Sequence, residues 1–172
     1  MIRTLKITAL FAVITLTLAA HTSRMVDAAP GQIAPDIELK ATTETTEDST
    51  TPDSFFISDL KGEYVLINFW STTDAASRVA AGTYDQLMKT NDFGGRLNLL
   101  NLNFDGNAAL FDAVVRQDGL DTAMQYHLSG EAADEVAKTY HLDQGYRAIL
   151  IDPNGKIVAV NPTPADITTL VS

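Results

Sequence analysis

The chain has 172 residues, 45% of them apolar and 20% charged, with a formal net charge of −10 and no cysteine. That length suits one domain of ordinary size behind a targeting segment. The acidity disfavours nucleic acid and anionic lipid as partners, and the missing thiols exclude disulfides, cysteine metal sites and thiol chemistry by the chain's own residues.

The first residues differ from the rest. Arg3 and Lys6 form a short positive region, and Ile7 to Ala20 is an apolar run of 14 residues. Such a run is too short to span a bilayer comfortably as a stable helix. Small residues follow at Ala19 and Ala20, and again at Ala28 and Ala29. The pattern predicts a secretory signal peptide and linker over residues 1–28, with cleavage after Ala20 or after Ala28. An uncleaved N-terminal anchor is the alternative. A lipid anchor on a lipobox cysteine is excluded, because no cysteine follows the run. The expected location is periplasmic or extracellular, with no membrane span in the mature chain. Removing residues 1–28, with Arg3, Lys6, Arg24 and Asp27, takes the net charge from −10 to −12. Such a surface favours solubility and basic partners.

Gly31 to Leu39 leads into a first strand, entered by Pro35. Ala41 to Asp53 is rich in Thr, Glu, Asp and Ser, and reads as an exposed loop. Phe55 to Ile57 predicts a short strand and Asp59 to Gly62 a turn. Tyr64 to Trp70, "YVLINFW", is a nearly unbroken apolar run that suits a central strand buried on both faces. A helix should start at Asp74, with Ala76, Val79, Ala80, Tyr84 and Leu87 on its apolar side. Leu97 to Phe104 reads as a second buried strand. Asn107 is placed to cap a helix whose apolar face is Leu110, Phe111 and Val114, and Gly119 to end it. Thr122 to Tyr126 predicts a strand. Ser129 is placed to cap the next helix, with Ala133, Val136, Ala137 and Tyr140 on one face. "AILID" and "KIVAV" flank "PNG" at Pro153–Gly155, a strong hairpin signal. Thr163, Pro164 and Asp166 open a short C-terminal helix. The order is β-β-β-α-β-α-β-α-β-β-α. It implies an α/β domain over residues 29–172, with a mostly parallel sheet covered by helices on both faces and a final antiparallel hairpin at its edge.

Other chemistry finds little support. His21, His127 and His141 lack metal-ligand spacing, and Asp74 and Asp85 do not form an obvious metal pair. No serine-hydrolase elbow, P-loop or dinucleotide-binding glycine pattern is present. No cofactor and no metal are expected.

Four segments carry a family resemblance: "APDIEL", "ISDLKGEYVLINFW", "YHLDQGYRAILID" and "PNGKIV". In this order and spacing, the chain from Gly31 to Ser172 resembles the extracytoplasmic thioredoxin-like proteins of the TlpA/ResA and AhpC/TSA-related type. The resemblance implies a thioredoxin fold: a central mixed sheet with helices on both faces and an N-terminal β extension. It also implies thiol–disulfide oxidoreductase activity, and here the chain departs. The family's cysteine-x-x-cysteine is replaced by Asp74-Ala75-Ala76-Ser77. Its cis-proline is missing as well, with Tyr146 and Arg147 in that region. In redox-active members that proline shapes the groove that pairs with the substrate backbone. Dithiol exchange needs an attacking thiolate and a resolving thiol. Neither Asp74 nor Ser77 can supply one.

Asp74 has two readings, a helix cap or an anionic contact for a partner. Arg147 is expected either to bridge to Asp74 or to be an ordinary solvated arginine. Phe69 and Trp70 continue an apolar strand and read as core, but Trp70 is also a candidate to line a shallow groove with Tyr146. Three functions follow. The first is a non-catalytic binding module for a protein or peptide of unknown identity, using Trp70, Thr73, Asp74, Ser77, Tyr146 and Arg147. The second is an oxidoreductase-type protein in redox homeostasis that acts only with partner-supplied thiols. The third is a different enzyme with Asp74 as acid or base, which calls for a raised carboxyl pKa.

Overall fold

The computed structural model describes residues 28–40 and 54–172. The predicted signal segment through Asp27 and the loop Ala41–Asp53 lie outside the described residues.

The strands are β1 (Glu38–Lys40), β2 (Ser54–Phe56), β3 (Tyr64–Trp70), β4 (Leu97–Asn103), β5 (Gln125–His127), β6 (Ala148–Ile151) and β7 (Ile157–Val160). The helices are α1 (Ala75–Thr90), α2 (Ala108–Asp118), α3 (Gly130–Thr139) and α4 (Pro164–Val171). Strands and helices occur in the predicted order. Strands β1 and β2 form an antiparallel pair, and the other five form one sheet in the order β5-β4-β3-β6-β7. Strands β3, β4 and β5 are parallel, while β6 is antiparallel to both β3 and β7. The final hairpin thus supplies the antiparallel edge of the sheet, with β7 outermost. Its first strand lies against the central β3, and all four of its residues are buried. An "AILI" run without polar alternation needs cover on both faces, which an interior position supplies.

The alternation of side chains along β3 divides the core. Val65, Ile67 and Phe69 face one side, where they meet Val136 and Tyr140 together with Ala28, Ile37 and Leu39 of the N-terminal segment. The Tyr140 hydroxyl donates to the carbonyl of Pro35, tying that segment to the end of α3. Leu66 faces the other side, with Tyr84 and Leu87 of α1 and Ile167 and Val171 of α4. Trp70 also lies on this second side, within a separate cluster of Ala81, Phe111, Val114, Val115 and Leu120.

Several local expectations need correction. The buried residues of α1 are Ser77, Ala81, Tyr84, Asp85 and Leu87, whereas Val79 is 69% exposed. Apolar spacing misplaced this face because two of its members are polar and find partners. Asp85 accepts from the Asp121 N–H at 2.7 Å and pairs with Lys89 at 2.6 Å. On α2, Val115 is buried and Leu110 is exposed. Residues Thr122–Met124 form a 3-10 turn, with Asp121 capping the Ala123 N–H, and the strand begins only at Gln125. Ile57 opens another 3-10 turn, so β2 stops at Phe56. Ser129 stands at the start of α3 but makes no side-chain cap. Asn107, Gly119 and the Thr163–Asp166 capping box act as expected.

Candidate functional site at the head of helix α1

Strand β3 ends at Trp70 and helix α1 begins at Ala75, so Ser71 to Asp74 form the connection. Asp74 has extended backbone angles, φ −96° and ψ 105°, and its carboxylate accepts the Ser77 N–H at 2.8 Å. This is an N-cap: it satisfies one of the amides that a helix start leaves without an intrahelical partner. The Ser77 backbone N–H, aided by the Ser77 side chain, holds the Asp74 carboxyl below the usual carboxylate range. Such a group is a poor proton donor or acceptor near neutral pH, so the acid–base reading of Asp74 loses its required sign.

Ser77 is buried. Its hydroxyl donates to the Asp74 carbonyl at 3.2 Å and accepts the Ser71 N–H at 3.3 Å. At the two positions where the family resemblance expects thiols, the polar atoms are engaged in building the helix start.

Behind this turn lies Asp105, which the sequence reading overlooked. It is 7% exposed. Its carboxylate accepts from the Ser71 hydroxyl at 2.7 Å, the Thr72 N–H at 3.1 Å and the Asn103 side-chain amide at 2.8 Å. The Asp105 N–H in turn donates to Asn103 Oδ1 at 3.0 Å. Burial raises the Asp105 carboxyl, but the hydrogen bonds from Ser71, Asn103 and Thr72 outweigh it and leave the carboxyl below its ordinary value. The carbonyl of Asp105 lies 2.7 Å from His127 Nε2. A carbonyl only accepts, so His127 carries its proton on Nε2. The His127 ring also stacks on Phe111, with centroids 5.3 Å apart. Asp105 thus joins the ends of β3, β4 and β5 through hydrogen bonds alone. A sequence signal did exist: "NFDGN", a polar stretch directly after a buried parallel strand, where α/β sheets place their sites.

Trp70 requires a correction. It is fully buried, with its ring 6.0 Å from Phe111, and lines no exposed groove. The reason is register: Trp70 shares the face of Leu66 and Asn68, which α1 and α2 cover. Both readings of Arg147 also give way. Its Nη2 donates to the carbonyls of Tyr140 and His141 at 2.7 and 2.8 Å. The guanidinium caps the end of α3 and is neither paired with Asp74 nor merely solvated. The Arg147 carbonyl accepts the Phe69 N–H at 3.0 Å and so prolongs the β3–β6 ladder. No peptide bond among the described residues is cis.

Tyr146 is half-buried, with its ring 6.0 Å from that of Phe104. Burial, with the negative charges of Asp105 and Asp74, raises its phenol, while the nearby Ser71 hydroxyl opposes the rise. Thr73 is exposed and Asp74 half-buried. Thr73, Asp74 and Tyr146 therefore form the accessible part of the predicted set, whereas Trp70 and Ser77 lie beneath it. Among the described residues, no group of three or more His, Asp or Glu side chains could hold a metal ion.

No family model matches the chain. Over 128 residues it is 27% identical to the thiol-disulfide oxidoreductase ResA of Oceanobacillus iheyensis, a match that covers 74% of this chain and 62% of that protein. The chain thus spans less than two thirds of the length of that relative. A thioredoxin-like protein from Parabacteroides distasonis superposes with a TM-score of 0.65 at 25% identity, covering 84% of this chain and 96% of the other. The thioredoxin domain of a thiol-disulfide oxidoreductase from Bacteroides vulgatus superposes with a TM-score of 0.69 at 22% identity, covering 84% and 99%.

Proposed function

We propose that this chain, a cysteine-free protein of thioredoxin fold that resembles the ResA-type thiol-disulfide oxidoreductases, serves outside the cytoplasm as a non-catalytic binding module. One observation carries the reading: Asp74 and Ser77 stand at the head of α1 where the resemblance expects thiols, and both are spent on the helix start. A sulfur-free pair offers no route for dithiol exchange. The N-terminal sequence pattern supports export. No helix among the described residues is long and apolar enough to cross a membrane.

The proposed contact surface is Thr73, Asp74 and Tyr146, with Arg147 supporting it from behind. Its partner is a protein or peptide. Asp74 brings a fixed negative charge and Tyr146 an aromatic face, and both suit a partner segment bearing Lys or Arg. Asparagine caps helices about as well as aspartate. Asp74→Asn should therefore leave the melting temperature nearly unchanged while weakening capture of the partner in pull-downs from envelope extracts. Unchanged capture would remove Asp74 from the surface.

Insulin-disulfide reduction with dithiothreitol as electron source tests the larger claim. The native protein should stay at the background rate, and the Asp74→Cys/Ser77→Cys variant should rise above it, because a cysteine pair at a helix N-terminus supplies the attacking thiolate and the resolving thiol. Activity of the native protein would overturn the binding-module reading. Activity only in the presence of a second, dithiol-bearing protein would favour the partner-supplied-thiol alternative.

A further inference from the structure

A row of three carboxamides crosses the middle of the sheet. Asn68 on β3 stands opposite Asn101 on β4, and Asn101 stands opposite Gln125 on β5. All three are at most 2% exposed. They lie on the side of the sheet covered by α1 and α2. Leu66, two residues before Asn68, belongs to the apolar cluster with Tyr84 and Leu87. Trp70, two residues after, belongs to the other cluster with Ala81 and Phe111. The amides thus form a polar seam between two apolar clusters.

Only part of their hydrogen-bonding capacity is used by protein. Asn68 Nδ2 donates to Asn101 Oδ1 at 3.1 Å. Asn101 Nδ2, Gln125 Nε2 and Gln125 Oε1 are buried without a protein partner among the described residues, and Trp70 Nε1 is in the same condition. In the next row along the same face, which Trp70 shares with Asn103 and His127, the latter two are satisfied. Asn103 bonds to Asp105 and His127 to the Asp105 carbonyl. Among the described residues the unmet demand therefore falls on the Asn101–Gln125 end of the first row, on Trp70 Nε1 in the next row, and on Thr72 Oγ1 beyond it.

We infer that the Asn101–Gln125 end of this row is an internal binding site for ordered water. Buried polar groups in folded proteins are almost always satisfied by protein or by water. Internal waters settle where two to four polar partners converge. Water accepts two hydrogen bonds and donates two. One or two molecules can therefore take the Asn101 and Gln125 N–H donors and return a donor to Gln125 Oε1. The apolar clusters on either side would make exchange with bulk solvent slow.

Magnetic relaxation dispersion of deuterium and oxygen-17 on the whole protein tests the site by counting long-lived waters. The native protein should hold one or two more than an Asn101→Leu/Gln125→Met variant. Equal counts would overturn the inference. Should the double variant fail to fold, the single Gln125→Met change is nearly isosteric, and water-to-amide cross-peaks in the native protein give a second readout. Cross-peaks from water to the Asn101 and Gln125 side-chain amides are expected. Their absence at both would mean that the two amides bond directly to each other, and would likewise overturn the site.

Discussion

Trp70→Ala is expected to lower the folding free energy by about 3–5 kcal/mol, the range for removing a large aromatic side chain from a packed core. Trp70 is fully buried and is among the largest side chains that are. It joins β3 to α1 and α2 through Ala81, Phe111, Val114 and Val115, so the cavity would open beneath the helix that carries Asp74. Helix α1 cannot close it without shifting its Tyr84 and Leu87 from their packing with Leu66 in the adjoining cluster. Urea denaturation followed by far-UV circular dichroism gives the loss. Trp70→Phe, which retains an aromatic ring, should cost less. A loss below about 1 kcal/mol for Trp70→Ala, together with loss of partner capture, would return Trp70 to the surface role that its sequence context also allowed. The chain has a single tryptophan. Native fluorescence should therefore be that of a buried indole and should shift to the red on unfolding.

Asp105→Ala should cost about 3 kcal/mol, and with a different dependence on pH. Hydrogen bonds to a charged group contribute roughly 1.5–3 kcal/mol, and stranding their donors in the interior adds a desolvation cost. The change would strand the Ser71 hydroxyl, the Thr72 N–H and the Asn103 amide together. These losses share one network and will not add fully. The sign of the pH effect follows from the depressed carboxyl of Asp105. Its contribution is fully present above the unfolded aspartate pKa of about 3.9, and it is lost as pH falls through the lower folded value. The stability gap between the native protein and Asp105→Asn should therefore be constant near neutrality and narrow below about pH 4. A gap that widened in acid would mean that burial dominates and that the carboxyl is raised.

Asp74 and Asp105 show two ways in which a carboxylate is held in its ionised form. Asp74 gains from a helix start that needs a cap, whatever the residue also does for a partner. Asp105 gains from donors gathered at the ends of two strands, Ser71 and Thr72 after β3 and Asn103 of β4. Neither has a cationic partner among the described residues, since Arg147 is committed to the end of α3 and Arg78 is paired with Asp118 at 2.7 Å. This unpaired negative charge beside Tyr146 is what favours a basic partner in the proposed function.

The sequence by itself determined the element order, the thioredoxin-like fold class and the loss of both thiols. Apolar runs such as "YVLINFW" and "AILI", the caps Asp74, Asn107 and Thr163, and the "PNG" turn are local signals, and each depends on a few neighbouring residues. Only the tertiary structure decided which residues stand together. Trp70 was open between core and groove because a strand-end aromatic suits both, and the register of β3 under α1 settled it as core. Arg147 was open between an ion pair and solvent, because the carbonyls that hold it belong to the end of a helix six and seven residues away. The apolar stripe of α1 was misjudged because Ser77 and Asp85 are buried through bonds to Ser71 and Asp121, which apolar periodicity does not register. Asp105 and the Asn68–Asn101–Gln125 row escaped for the same reason: their partners come from different strands, and pairing across strands is set by sheet register rather than by neighbours in the chain.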